Sequence, residues 1–500
     1  MKNLHRTPWA AGLLLALVCL SLAFSGCSSN SSDEDGDTAD GDASDGDTSD
    51  GDAADADTGD GDADEADIPE GPFADPDTVL LTDDMPPVRQ WVVKRGIVHS
   101  HSPYSHDACD DEPFIDGVRN EQCFEDCRAG MCQTAQDFVF LSDHRGSFAD
   151  YEFPEVLLYK DGDTLIERNA MPVANRVKCA DGREVIVAAG TESEMMPIGL
   201  ERHVGDTPAE RSNNYGIASV EMVEMFREAG ALVFLQHTEG WDVEEILGLG
   251  VDGIEMYNLH QNMMDNLGGA MKMVLMLESE PEKLPVMELL PIGIFWESEK
   301  DLYRWSKVVM QRPIPAVLAT DAHRNVFKSP SPDVERIDSF RRMMHWFSNH
   351  LLVAPGPIDD AILKDTIKKG RMYGAFEYLG YPVGFDFHAT RGDETFEMGD
   401  LIPAGANVML HVSKPEVYKV DPTGPQPEIH VRVLKANDGA WDEIATGGDD
   451  LDVEVGPGVY RAEARINPLH LTQWLGTEAE TYLGEKIWVY SNAIYVGMYE

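Results

Sequence analysis

Between residues 88 and 324 the chain repeats one pattern: a short apolar run that stops on a histidine or an acid. "WVVKRGIVH" stops at His99, "DFVFLSDH" at Asp143 and His144, and "EVIVAAGTESE" at Glu192 and Glu194. "ALVFLQH" stops at His237, "VDGIEMYN" at Glu255 and Asn258, and "IPAVLATDAH" at Asp321 and His323. Continuous rather than alternating apolar runs indicate strands buried on both faces. Amphipathic stretches such as "SVEMVEMFREAG" and "VEEILGLG" lie between them, the second closed by Gly250, a residue suited to the left-handed turn after a helix. Strands alternating with helices predict an α/β fold with a parallel sheet, and half a dozen such units predict a closed barrel. "MKMVLMLESEPEKLPVMELL" through "YRWSKVVMQRP" reads as helical decoration before the last strand, and "DDAILKDTIKKGRM" as a helix ending near Gly370.

After about Gly374 the period changes. "ANVMLHVS", "EIHVRVLK", "GVYRAEARI" and "KIWVYSNAIYVG" are separated by Pro and Gly with little helical pattern between them. Residues 375–500 are therefore expected to form an antiparallel β-sandwich, after a barrel over 88–374.

The N-terminal pattern is different again. Lys2 and Arg6 precede an apolar run from Trp9 to Leu22, too short for a comfortable membrane span and suited to a secretory signal. Phe24-Ser25-Gly26-Cys27 resembles a bacterial lipobox, which implies a signal peptide over 1–26, lipidation of Cys27 and a membrane anchor. The stretch that follows carries 18 acids between Asp33 and Glu70 and no Lys or Arg. It cannot bury a core and is expected to be an extended linker over 27–87. Its Asp-Gly-Asp repeats lack the spacing and closing Glu of a calcium loop. The whole chain has a formal charge of −51, of which this linker supplies only part. The folded remainder is acidic too, the wrong sign for coating nucleic acid. Export to an outer-membrane address, periplasmic or surface-facing, is the expectation.

Of seven cysteines, Cys19 lies in the signal and Cys27 at the anchor. Cys109, Cys123, Cys127 and Cys132 are expected to staple a loop near the barrel rim, with three pairings open. Cys179 is the odd one, unless it pairs into this group and frees another. A zinc knuckle is the rival, but C-x3-C-x4-C does not have its usual spacing.

In a parallel barrel the strand ends share one rim, the face where active sites sit. His99, His101, His106, His144, Glu192, His237, Asp321 and His323 would then converge from scattered positions. Imidazole plus carboxylate suits zinc, manganese or iron. His345 and His350 lie in a helical pattern and His388, His411, His430 and His470 in the second region; none is expected at the rim. Glu255 and Asn258 are expected to support the site from their strand end.

In order and spacing, "HSHSPYSH", "DFVFLSDH", "GTESE", "AGALVFLQH", "VDGIEMYN" and "ATDAH" resemble the motifs of the PHP (polymerase and histidinol phosphatase) superfamily over about residues 92–324. The resemblance implies a distorted (β/α)7 barrel holding two or three divalent metal ions. His99, His101, His144, His237, Asp321 and His323 would be ligands, with Glu192 bridging and Glu194 its rival. It places a third ligand at His106 or Asp107 and another at His203. Asp321 or Glu192 would orient the attacking water, and Arg145 and Arg324, each beside a ligand histidine, would bind an anionic group. The C-terminal strands look like the β-domain of some PHP-type hydrolases, including the CehA/McbA-like group. The resemblance thus implies a tethered metal-dependent hydrolase acting on a small anionic substrate, a phosphoester first. Carboxyl esters, carbamates or amides are the alternative, and a surface binding lipoprotein with a merely structural metal is the third reading.

Overall fold

The computed structural model describes residues 76–500 apart from 329, 406 and 500. The expected signal, lipobox, Cys27 and the part of the 27–87 linker up to residue 75 lie outside the described residues; the rest of that linker is not an extended spacer, since Leu80 and Met85 are buried in the core and Thr82 donates to Asp137. Seven strands close a barrel: β1 (Val92–Ser100), β2 (Phe138–Phe140), β3 (Glu184–Glu192), β4 (Met196–Leu200), β5 (Leu232–Leu235), β6 (Gly253–Asn258) and β7 (Ala316–Ala322). β1 pairs in parallel with both β2 and β7, which closes the ring, and β2 with β3, β5 with β6 and β6 with β7 are parallel as well. β4 alone runs against both neighbours. The reason is chain length. Three residues separate Glu192 from Met196, whereas a parallel crossover needs about a dozen. The apolar pattern gave no sign of this reversal.

Gly190 permits the tight approach there. A Cβ on it would stand 2.4 Å from the Leu141 carbonyl oxygen and 2.7 Å from that of Pro197. The barrel interior is filled by an apolar cluster that includes Val98, Phe140, Ala188, Ile198, Phe234 and Val317. Leu363 and Ile367, from the helix Asp360–Lys368, join this cluster.

The cysteine-rich insert starts at the rim, where the Cys109 N–H donates to the His323 carbonyl, but it is not a flap. It forms α1 (Glu121–Gln133), the crossover from β1 to β2, with Cys123, Phe124, Cys127 and Met131 buried. Cys109 pairs with Cys123, but Cys132 reaches out of the group to Cys179, leaving Cys127 buried and free. Two disulfides suit a non-reducing compartment. No helix among the described residues is long and apolar enough to cross a membrane.

Beyond the ring, β8 (Ser348–Val353) runs antiparallel to the first half of β1, and β9 (Met372–Ala375) antiparallel to β8. β9 then pairs antiparallel with the strand Lys486–Ser491. The region after 374 is β-rich, as its pattern predicts. Its strands form a separate four-stranded antiparallel sheet and a second set, including Glu428–Asn437 and Gly458–Asn467, that is continuous with the barrel through β9.

Candidate metal centre

The strand ends do meet. The register of β1 against β7 slips: Val98 faces Ala319, but Ser100 faces Ala322. Such a bulge re-aims the side chains within it. His99 and Asp321 lie in it, both left-handed, with φ of 70° and 51°, and His237 after β5 has φ of 46°. Three non-glycine residues in this costly region mark a place where side-chain direction outweighs backbone comfort.

His99, His101, Glu192 and Asp321 form one fully buried group. Glu192 Oε2 is 3.2 Å from His99 Nε2 and 3.1 Å from His101 Nε2. Asp321 Oδ1 is 3.1 and 3.2 Å from the same two nitrogens, which are themselves 3.3 Å apart. Both oxygens of Asp321 are buried, yet neither takes part in a well-formed hydrogen bond. Buried carboxylates left so are costly, and a cation among these lone pairs removes the cost. The donor set fits a divalent transition metal.

A second group joins His101, Asp107, His144 and His323. Asp107 Oδ2 lies 3.0 Å from both His144 Nε2 and His323 Nε2. On the opposite side, Glu192 Oε1 is 3.1 Å from His237 Nε2, and Asp321 Oδ2 is 3.5 Å from that nitrogen and 3.4 Å from His260 Nδ1. Glu192 thus faces His99 and His101 with one oxygen and His237 with the other.

Neighbouring groups hold these side chains. Glu255 Oε1 is 2.6 Å from His99 Nδ1, while its Oε2 accepts from the His237 backbone N–H and from Asn258. A carboxylate behind an imidazole fixes which nitrogen faces the site. Asp143 accepts from the Ser102 N–H and hydroxyl, pinning the loop after His101. Burial pushes the Asp143 carboxyl up to about 6. Behind His237, Asp301 is also buried; desolvation, with the Glu239 charge nearby, raises it to about 8.

In the cluster burial is outweighed by charge. Desolvation pushes Glu192 and Asp321 up, but the surrounding imidazoles hold both well below the carboxylate range. Desolvation pulls His99 and His237 down, but the carboxylates raise both well above the usual histidine value. His323 is raised to about 9, with Asp107 the largest opposing cause to its burial.

Several predicted residues lie elsewhere. His106 is exposed, and Asp107 takes the place between His144 and His323. His203 is not in either group: its two ring nitrogens face the Tyr215 hydroxyl at 2.8 Å and the Tyr151 carbonyl at 2.7 Å, which leaves neither for a metal. Glu194 is exposed. Arg324 pairs with Asp126, whereas Arg145 is exposed and donates only a 3.4 Å bond to the Ser212 carbonyl. His260, whose place just after "EMYN" allows a rim position without requiring it, does reach Asp321, from α2 (Leu259–Asp265) past the strand end. The only available signal was its position two residues after Asn258.

No protein-family model matches the chain, and no curated protein does. Among solved structures, a two-domain protein from Bacteroides vulgatus containing a predicted PHP-like metal-dependent phosphoesterase is 11% identical to it. That match covers 83% of this chain and 99% of the other, with a TM-score of 0.27. CvAA9A is 14% identical over 20% of this chain and 57% of its own, with a TM-score of 0.14. Likenesses this weak decide nothing; the chemistry rests on the site itself.

Proposed function

We propose that the protein is a metal-dependent hydrolase of the PHP type acting on phosphoesters. One observation carries the reading: the buried Asp321 carboxylate, without a well-formed hydrogen bond, is ringed by His99, His101, His237 and His260. His99, His101, Glu192 and Asp321 would hold one divalent cation; Asp107, His144 and His323 a second; Glu192, His237 and His260 a third. Zinc, manganese or iron suits these donors. Such cations, when bound, supply a water acidified toward neutrality and positive charge for the transition state.

The chain's own residues set the geometry. His99, His101 and Asp321 are sealed, whereas the side chains of His144, His237 and His260 remain 25%, 33% and 28% exposed. The scissile bond therefore enters along those three imidazoles. Glu192 and Asp321 orient the attacking water, and Glu255 keeps His99 turned inward. Because Arg324 is paired with Asp126, a less charged carboxyl ester or amide is the reading to test beside the phosphoester.

The two disulfides support placing the barrel outside the cytoplasm; the tether through Cys27 and the β-sandwich over 375–500 belong to the proposal on sequence pattern alone. Elemental analysis of the full chain, paired with p-nitrophenyl phosphate, bis-p-nitrophenyl phosphate and a p-nitrophenyl carboxyl ester, tests the chemistry. Bound metal and phosphoester turnover are expected, both lost in His101→Ala and Asp321→Ala. Turnover of the carboxyl ester alone would redirect the substrate class. Wild-type rates in both variants would refute the site.

A further inference from the structure

A cleft of about 1100 Å³ opens between the segment after β6 and the last strands of the chain. α2 separates it from the metal centre. His260 and Asn262 are two residues apart, roughly 200° around a helix, so they point to opposite sides. His260 faces Asp321, while Asn262 and Asp265 line the cleft. Asn262 donates to the Trp296 carbonyl and so holds Trp296 in the cleft wall, where that residue is 51% exposed.

Three charged residues of the cleft have no ion-pair partner among the described residues: Lys272 and Glu299, both exposed to water, and Lys486, which alone of the three is partly withdrawn from it. Asp265 pairs with Lys300, Glu297 with Arg465, Glu478 with Lys283 and Glu485 with Arg432. Glu299 is exposed at the lip. Lys486 is half-buried, and no carboxylate among the described residues lies within ion-pair distance of it. Burial pulls its ammonium pKa down, as expected of a cation lacking a counter-charge. The chain has 90 acids against 39 Lys and Arg, so a lysine that is half-buried in a cleft wall without one of them, unlike the water-exposed Lys272, leaves its counter-charge to a ligand. An exposed indole in the same wall offers a face for a flat ring.

We propose that this cleft is a binding site, separate from the metal centre, for a ring-bearing organic anion whose acidic group pairs with Lys486 and whose ring lies on Trp296. An aryl acid and an acidic sugar share that chemistry. Isothermal titration of the full chain with phenylphosphonate, with trigalacturonate and with neutral cellotriose distinguishes them. At least one anionic probe is expected to bind, more weakly as salt rises, and cellotriose is not. Affinity should fall about tenfold in Lys486→Gln, the loss of one charge-assisted contact, and fall also in Trp296→Ala. Both variants should keep the wild-type melting temperature and turnover. His101→Ala should bind the probe as the wild type does. The proposal is overturned if neither anion binds, if cellotriose binds as tightly, if binding survives both cleft substitutions, or if His101→Ala abolishes it.

Discussion

Asp107 and His106 are neighbours with opposite fates, and substitution separates them. Asp107→Asn removes the oxygen that His144 and His323 share and is expected to lower metal content by elemental analysis. His106→Ala changes an exposed ring and is expected to leave it unaltered. His203→Phe should cost about 1–3 kcal/mol in denaturant unfolding by stranding the Tyr215 hydroxyl and Tyr151 carbonyl, with metal content intact. Proton uptake gives a further check. His99, His237 and His323 bind protons more tightly than free histidine when no metal is present, so metal loading must displace them. An unbuffered titration of metal-stripped protein near pH 7 is expected to release protons, and apparent metal affinity should fall as pH is lowered. The residues legible in the sequence were those that end apolar runs, because a strand end fixes where its next side chain points. His260 and the choice of Asp107 over His106 lay beyond that signal, since loop and helix positions carry no such register.

At the level of elements, the parallel strands and their helices were legible from continuous apolar runs, but β4 was not. Its reversal is imposed by a connection too short for a crossover, a constraint of length rather than of hydrophobic pattern. The tight turn from β3 makes Gly190 a sensitive position. Gly190→Ala drives a methyl group against the Leu141 carbonyl and should cost about 1–3 kcal/mol by denaturant midpoint. Because Glu192 follows two residues later on the same strand, metal content is expected to fall with it. The pairing of the cysteines around α1 is hidden from the sequence for a related reason. These cysteines signalled cross-linking but not partners, and the bridge from Cys132 to Cys179 spans 47 residues of sequence.

Across the whole molecule, the buried Asp301 sets a pH dependence of stability. Its carboxyl is raised to about 8 in the folded chain, against about 3.8 for a free aspartate. Between those limits the native state holds a proton that the unfolded state has released. Stability from this group is therefore complete below about pH 4 and is lost as pH rises through about 8. Asp301→Asn should remove that slope. Its advantage over the wild type in urea unfolding should grow by about 1 kcal/mol per pH unit between pH 5 and pH 8. The opposite trend would show that Asp301 is ionised in the native protein. The strand β9 has a different whole-chain consequence, since it bonds β8 along one margin and Lys486–Ser491 along the other. Scission after Gly374 would strip both fragments of a hydrogen-bonding partner and leave raw edges prone to clumping. The barrel is thus not a module that evolution or an engineer can lift out by cutting there; it must be inherited together with its C-terminal strands.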